Sequence, residues 1–296
     1  MSERPPWQHF QRLLEQAGFR PSRRLGQNFL LDENMLQAIA RDARIAPGET
    51  VLEVGPGLGF LTRHLLDCGA HLVCIEIDAR VLAIAKSWID GPLWLHGDVL
   101  AGKHELAHAV AGALPPNSAW QLVSNLPYSV SAPVLGVLAD LEHAPRGMTV
   151  LVQREVAERI AGNPGSSDWG LLSIALQSDY GVELVRHVPP QLFWPRPEVE
   201  SSVVRLVRKP EPLERGRRRA LLELSARLFQ RRRQTLGRVL GELWGREPAL
   251  ARLAALGWEP TRRAEELDLG ELLALSGGAA EAPFGGQVPP SGRVGP

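Results

Sequence analysis

Thr50-Val51-Leu52-Glu53-Val54-Gly55-Pro56-Gly57-Leu58-Gly59 joins a short apolar run to a turn rich in glycine. The run reads as a buried strand, and Pro47-Gly48 breaks the chain just before it. Glycines at such a turn tighten it and let a ligand approach the backbone. A helix follows to about Leu66, and a second apolar run, His71-Leu72-Val73-Cys74-Ile75-Glu76, ends on an acid 21 residues after Gly55. This order of strand, glycine turn, helix, strand and acid is that of a nucleoside-binding α/β unit. Its carboxylate takes the two ribose hydroxyls of an adenosine-containing cofactor. Gly55 and Gly57 alone are a weak signal; Glu76 at the end of the next strand makes cofactor binding the reading. Asp78 reads as the N-cap of a helix from Ala79 to Trp88.

Outward from that unit, Leu93-Trp94-Leu95-His96 reads as a third strand, followed by Gly97-Asp98-Val99. Asp98 is there either a turn cap or an acceptor for the cofactor's adenine amine. Lys103 to Leu114 reads as helical or irregular. A fourth strand, Trp120 to Ser124, delivers Asn125-Leu126-Pro127-Tyr128 into the crevice outside the carboxyl ends of the strands, where α/β sheets bind ligands. An Asn side-chain carbonyl accepts from an exocyclic NH2, a residue before proline is held extended, and Tyr128 offers a flat stacking face. A strand-to-helix turn with Asn125 as its cap is the alternative for the same four residues. A helix follows from Val130 to Leu138, and Met148 to Val152 reads as a fifth strand running into a helix from Gln153 to Ile160. Asn163 to Ser167 reads as a loop and Trp169 to Gln177 as a core-facing helix. Strands at Val182–Val188 and Ser201–Val207 bracket Pro189–Pro197, which is too proline-rich for a helix or strand interior. Its Phe193 and Trp194 suit either a pocket wall or packing at a sheet edge. Upstream, Trp7–Gln16 reads as a short helix and Asp32 as the N-cap of a helix to about Ala43.

With 296 residues, 44% of them hydrophobic and 22% charged, the chain has room for one large domain and a small one. No stretch approaches the ~18–20 apolar residues of a membrane span, and Met1 to Arg24 lacks the apolar core of a secretory signal. Cys68 and Cys74 form no metal or disulfide framework and fit a reducing compartment, so the cytoplasm is the expected location. The net charge of zero hides an asymmetry: Arg205 to Arg263 holds sixteen Lys/Arg against six Asp/Glu. Phosphate binding needs such local positive charge and not a global excess. After a linker at Lys209-Pro210-Glu211-Pro212, short amphipathic helices replace strands. One of these contains Arg231-Arg232-Arg233 beside Phe229, which reads as a solvated helix face or as a phosphate contact. The expected division is an extension over 1–23, an α/β domain over 24–209, a helical domain over 210–276 and a disordered tail over 277–296.

A nucleoside cofactor over the first strand ends, an amine-holding clamp over the fourth, and a basic helical domain point to methyl transfer from S-adenosylmethionine. The acceptor is then the exocyclic amine of a base in nucleic acid; hydride transfer with NAD needs neither clamp nor basic domain. From about Arg24 to Leu275 the chain resembles the small-subunit ribosomal RNA adenine dimethyltransferase family. The resemblance is carried by Leu25-Gly26-Gln27-Asn28-Phe29-Leu30, Glu53 to Gly59, Ile75-Glu76-Ile77-Asp78, Gly97-Asp98, Asn125 to Tyr128 and Gln153-Arg154-Glu155-Val156. It continues in Phe193-Trp194-Pro195-Arg196-Pro197 with Val199 and Ser201, and in Phe229 to Arg233. Gln234 stands where the family usually has lysine, and Trp169 where tyrosine is common.

The resemblance implies a Rossmann-like α/β S-adenosylmethionine-dependent methyltransferase sheet with a small C-terminal all-helical domain. It implies cofactor contacts at Asn28, Leu30, Gly55, Glu76, Asp98 and Asn125, with Gly57 added by the glycine turn. It implies dimethylation of the N6 amines of two adjacent adenosines near the 3′ end of 16S rRNA. The base is then held by Asn125, Leu126, Pro127 and Tyr128, with Tyr128 stacked on one face and Phe193 on the other. Arg231, Arg232 and Arg233 are the expected grip on 16S rRNA in immature small ribosomal subunits, for a monomer that meets no membrane. Two other readings stand beside this one: a 23S rRNA adenine methylase of the macrolide-resistance type, and a subunit-assembly factor for which methylation is incidental.

Overall fold

A computed structural model describes residues 4–22, 25–102, 105–117 and 119–277, which divide into two units, 4–163 with 167–212 and 164–166 with 213–277. In the first unit, α1 (Trp7–Gln16), β1 (Phe29–Leu30) and α2 (Glu33–Asp42) precede the glycine-turn unit of β2 (Thr50–Val54), α3 (Phe60–Asp67) and β3 (His71–Glu76). Then come α4 (Ala79–Lys86), β4 (Leu93–His96), a hairpin of β5 (Leu100–Gly102) and β6 (Glu105–Leu106), and α5 (His108–Ala113). β7 (Trp120–Asn125), α6 (Ser131–Asp140), β8 (Gly147–Gln153), α7 (Arg154–Ile160) and α8 (Leu171–Gln177) continue the alternation. β9 (Tyr180–Val188), β10 (Phe193–Trp194) and β11 (Ser201–Arg208) close the unit.

Seven strands form one sheet in the order β4-β3-β2-β7-β8-β11-β9; β4 to β8 are parallel and β11 lies antiparallel between β8 and β9. Their apolar runs are buried on both faces, as helix-covered parallel sheets require. On one face Val51, Cys74, Val123, Leu151 and Val203 pack with Phe10, Leu14, Ile39, Leu65 and Ile84 from α1 to α4. On the other, Leu52, Val73, Leu122, Val150 and Val204 pack with Val110, Leu135, Ile160 and Leu176 from α5 to α8. From β2 the chain winds outward through β3 and β4, and the sheet's other half begins at β7. The β2/β7 boundary is therefore the topological switch point where such sheets bind ligands.

Expected capping residues cap: Asp32 Oδ1 accepts from Met35 N–H at 2.8 Å, and Asp78 Oδ1 from Arg80 N–H at 3.0 Å. In the first unit the structure departs from expectation at three places. Helix α1, expected in an extension outside the α/β domain, buries Phe10 and Leu14 in its core and packs Trp7 on Trp194 at 5.1 Å. The stretch before α5 contains the β5–β6 hairpin, too short to leave a periodic signal. The proline segment also contains a strand: β10 pairs antiparallel with β1, with Leu30 opposite Phe193 and Phe29 opposite Trp194. Among the described residues no helix is long and apolar enough to cross a membrane.

The second unit is helical: α9 (Arg215–Phe229), α10 (Leu236–Trp244), α11 (Arg246–Ala255) and α12 (Leu269–Gly277). Glu214 caps α9 through hydrogen bonds from Gly216 and Arg217 N–H. Leu221, Leu224, Leu228, Leu240, Leu253 and Leu272 are buried. The unit includes residues 164–166, whose Gly165 N–H donates to Glu265 O at 2.7 Å, so the loop expected there is anchored. The arginine run does not lie in a helix: α9 ends at Phe229 and Arg231 to Arg233 form the turn before α10. The 23/24 boundary and the expected tail beyond Gly277 lie outside the described residues.

Candidate active site

A cleft opens at the switch point, lined among others by Asn28, Leu30, Gly55, Gly57, Glu76, Asp98 and Asn125. Its floor is the glycine turn. Gly55 (φ +67°) and Gly57 (φ +58°) both lie in the left-handed region that favours glycine. A Cβ on Gly55 would meet Pro127 Cγ at 2.8 Å, and one on Gly57 the Phe29 ring at 2.8 Å. Glycine turn, clamp and the 25–30 segment therefore pack as one body around the cleft.

Glu76 ends β3 with both carboxylate oxygens fixed, Oε2 accepting from Gly57 N–H at 3.1 Å and Oε1 from Asp78 N–H at 3.0 Å. Burial raises its pKa, and these N–H donors oppose the rise. Each carboxylate oxygen has two lone pairs, so capacity for two hydroxyls remains. Asp98 Oδ1 accepts from Leu100 N–H at 3.0 Å, so Asp98 caps the turn and lines the cleft at once. Glycines that leave backbone close to the cleft, a fixed carboxylate after β3 and a second one after β4 fit an adenosine-type cofactor. Glu53, also lining the cleft, is 1% exposed and its pKa is pushed up to about 8, chiefly by burial.

The segment 25–30 roofs the cleft and is tied down from outside. Gln27 Nε2 donates to Asp78 Oδ2 at 3.2 Å, and outside this segment Arg80 Nη1 donates to Gly18 O at 3.2 Å with its guanidinium 5.3 Å over the Phe19 ring. The Arg80 guanidinium holds the Asp78 carboxyl below its ordinary range.

Asn125 ends β7 beside this roof. Its Nδ2 donates to Asn28 O at 3.0 Å, which turns Oδ1 away as a free acceptor. Leu126 N–H donates to Leu151 O at 3.1 Å, and Val130 N–H to Pro127 O at 3.1 Å, pinning the clamp at both ends. Tyr128 OH lies 2.6 Å from Ser201 Oγ on β11, and burial raises its pKa. Its ring lines a second cleft with Gln153 and residues 195–199; the two clefts share Gly26, Gln27, Asn28 and Ser129. The two clefts thus meet at Asn28, whose carbonyl holds Asn125.

Phe193 is not at that meeting point. It is 4% exposed, packs in the core and lines neither cleft, because pairing with β1 turns it inward; Pro195, Arg196 and Pro197 form the wall instead. In the helical unit Arg231 pairs with Glu242 and Arg232 with Glu265 at 3.6 Å, while Arg233 is exposed. The basic window ends at Arg263, just before Glu265, Glu266, Asp268 and Glu271. Of these acids, Glu271 pairs with Arg262 at 2.8 Å. Gly26, Gln27, Gln153 and Ser201 have no individual role in the sequence pattern; only their three-dimensional neighbours assign one.

Sheet order, switch-point cleft and the acids closing β3 and β4 define the class: a Rossmann-like S-adenosylmethionine-dependent methyltransferase with a helical C-terminal unit. The chain belongs to the ribosomal RNA adenine dimethylase family, matching it over residues 18–274, and is an rRNA adenine dimethyltransferase. It is similar to the ribosomal RNA small subunit methyltransferase A of Geobacillus kaustophilus, 37% identical over 280 residues that cover 90% of this chain and 94% of that one. It is also similar to the protein of that name from Anaeromyxobacter dehalogenans, 40% identical over 272 residues, 89% of this chain and 95% of that one. Among solved structures, a dimethyladenosine transferase from Plasmodium falciparum has the same fold, with TM-score 0.69, 23% identity and coverage of 83% and 95%. The 23S rRNA methyltransferase ErmE aligns with TM-score 0.65, 25% identity and coverage of 84% and 98%.

Proposed function

We propose that this enzyme acts on the small subunit, dimethylating the N6 amines of two adjacent adenosines in the 3′-terminal hairpin of 16S rRNA. It works as a cytoplasmic monomer on immature small ribosomal subunits. The observation that carries the reading is Asn125, which lines the first cleft with its Nδ2 occupied by Asn28 O and its Oδ1 left as an acceptor, beside Asn28, which lines both clefts. Bound S-adenosylmethionine supplies an electrophilic methyl group on a cationic sulfur. Glu76 would hold its ribose, Asp98 its adenine amine, and Gly55, Gly57, Asn28 and Leu30 its remaining surface.

The chain's own residues make the acceptor amine reactive. An adenine N6 lone pair is delocalised into the ring. Asn125 Oδ1 and the Leu126 carbonyl accept the N6 hydrogens and draw the nitrogen toward a tetrahedral shape. Pro127 fixes the clamp, and Tyr128, braced by Ser201, stacks on the base. Phe193 backs the facing wall from the core. A base inside a helix is out of reach, so the target adenosine is flipped out or in a loop. The amine sheds one proton for each methyl it gains, and the proton leaves to water, since neither Asn125 nor the Leu126 carbonyl is basic. Positioning of this kind supplies roughly 7–11 kcal/mol in favourable cases. Arg231, Arg232 and Arg233 would grip the rRNA backbone, with Arg233 the most available.

Asn125→Ala tests the reading, using labelled cofactor, unmethylated small-subunit particles and mapping of the modified nucleotides. The expected result is wild-type modification confined to the two adenosines, with methylation by the variant reduced at least about a hundredfold and cofactor affinity largely kept. Near-full activity of the variant, or modification elsewhere, would overturn it.

A further inference from the structure

Three neighbouring strand ends present polar side chains on one face of the sheet. Asn125 on β7 lies opposite Leu151 on β8, and Gln153, two residues on, shares Leu151's face. Gln153 lies opposite Ser201 on β11, and Ser201 holds the Tyr128 hydroxyl at 2.6 Å. Gln153 thus stands between the amine acceptor and the residue that braces the stacking ring. It is half-buried and lines the same cleft as Tyr128.

Its backbone position explains nothing about its amide. Gln153 precedes α7 as the N-cap residue, yet its side chain makes no capping hydrogen bond. Nor does its amide pair with any other group among the described residues, whereas Asn125, Tyr128 and Ser201 are each held by a partner. A side-chain amide carries two donors and an acceptor. A flat heteroaromatic ring against Tyr128, with its amine at Asn125, offers only acceptors beside that amine, the ring nitrogens N1 and N7.

We propose that Gln153 is a base-reading residue, donating from Nε2 to the ring nitrogen of the target adenine that flanks the methylated amine. The inference rests on the proposed adenine site at Asn125. It gives the cleft a third point of contact, so that the base is fixed in its plane as well as at its amine and its face. This contact persists after the first methyl has replaced one N–H, when the clamp holds the amine by a single hydrogen bond.

The test compares full-length wild type, Gln153→Ala and Asn125→Ala on unmethylated small-subunit particles whose rRNA carries adenosine, 1-deazaadenosine or 7-deazaadenosine at a target position. Gln153→Ala should lower kcat/KM for the particle about tenfold to a hundredfold, the effect of losing one hydrogen bond to the base. Cofactor affinity and thermal unfolding should be unchanged. One of the two deaza substitutions should slow the wild type by a similar factor and leave Gln153→Ala no slower than it already is. Which one does so tells N1 from N7. Gln153→Ala activity within threefold of wild type, or deaza effects that multiply with the mutation, would overturn the proposal. Full activity of Asn125→Ala would instead remove the adenine site itself, whereas an inactive Asn125→Ala beside a normal Gln153→Ala would remove only Gln153.

Discussion

Gly26 and Gly18 form a matched pair for asking whether the roof of the cofactor cleft sets the position of the base clamp. Their backbones are nearly the same, at φ +62° and +61°, so alanine at either costs about 1–2 kcal/mol of left-handed strain. Their surroundings differ. A Cβ at Gly18 meets nothing within 4 Å, whereas one at Gly26 would lie 2.7 Å from Tyr128 N and 3.3 Å from Ser129 N. Ordinary contact begins near 3.4 Å, so Gly26→Ala must push the Tyr128 backbone back by about 0.7 Å. No flexible side chain can yield there. A misplacement of about 1 Å in an active site can cost about a hundredfold in rate, or ~2.7 kcal/mol at 1.36 kcal/mol per decade. Both variants should therefore unfold at lowered temperatures, Gly26→Ala the lower of the two, and only Gly26→Ala should lose about a hundredfold in single-turnover methylation at saturating cofactor. Equal turnover by the two variants would refute the reasoning, because strain without displacement would then account for everything.

Tyr128→Phe leaves Ser201 Oγ buried without its partner, a loss of about 1–3 kcal/mol in denaturant unfolding. Methylation should remain measurable, since the stacking ring is kept; an unchanged unfolding midpoint would argue against the brace. Glu53 sets a pH dependence. Its pKa is about 8 in the folded chain against an ordinary 4.5, so between those values the folded protein keeps a proton that the unfolded chain has shed. The associated stability is complete below pH ~4.5 and lost as pH rises through ~8. Thermal midpoints of Glu53→Gln should therefore gain on wild type from pH 5 to 9, and parallel profiles would contradict the assignment. Arg233→Glu should weaken particle binding and flatten its salt dependence by roughly 0.7–0.9 for each phosphate no longer neutralised. Titrations at several salt concentrations that superimpose on wild type would remove Arg233 from the RNA-binding surface.

The parallel half of the sheet was legible because its strands are short apolar runs ending at glycine or an acid, so β2, β3 and β4 fall where the sequence pattern puts them. The switch-point cleft was legible for the same reason: strand-end position is a local property, and Gly55, Gly57, Glu76, Asp98 and Asn125 all line one cavity. What local patterns could not supply was partnership. Trp7–Gln16 was visible as a helix, but nothing in its spacing says that Phe10 packs on Phe60 and Trp88 at 4.9 and 5.3 Å. Phe193 was expected at the base because it is aromatic on a proline segment; the two-residue pairing that turns it inward depends on Phe29 and Leu30, far away in the chain. The charge excess of the C-terminal region likewise looked larger in a sequence window than in space, where Glu265, outside that window, meets Arg232.

The pairing of β1 with β10 has a consequence for traffic through the enzyme. Residues 29–30 line the cleft at the switch point and residues 193–194 precede the wall beside Tyr128, and Leu31 N–H adds a hydrogen bond to Leu192 O at 2.8 Å. Backbone hydrogen bonds thus join the two segments. Any movement of residues 29–30 to exchange spent cofactor would therefore disturb the wall beside Tyr128, setting replenishment against retention of the nucleotide. An enzyme that must reload between successive methyls on one nitrogen would then release its half-finished product, and singly methylated adenosine should accumulate early in the time course.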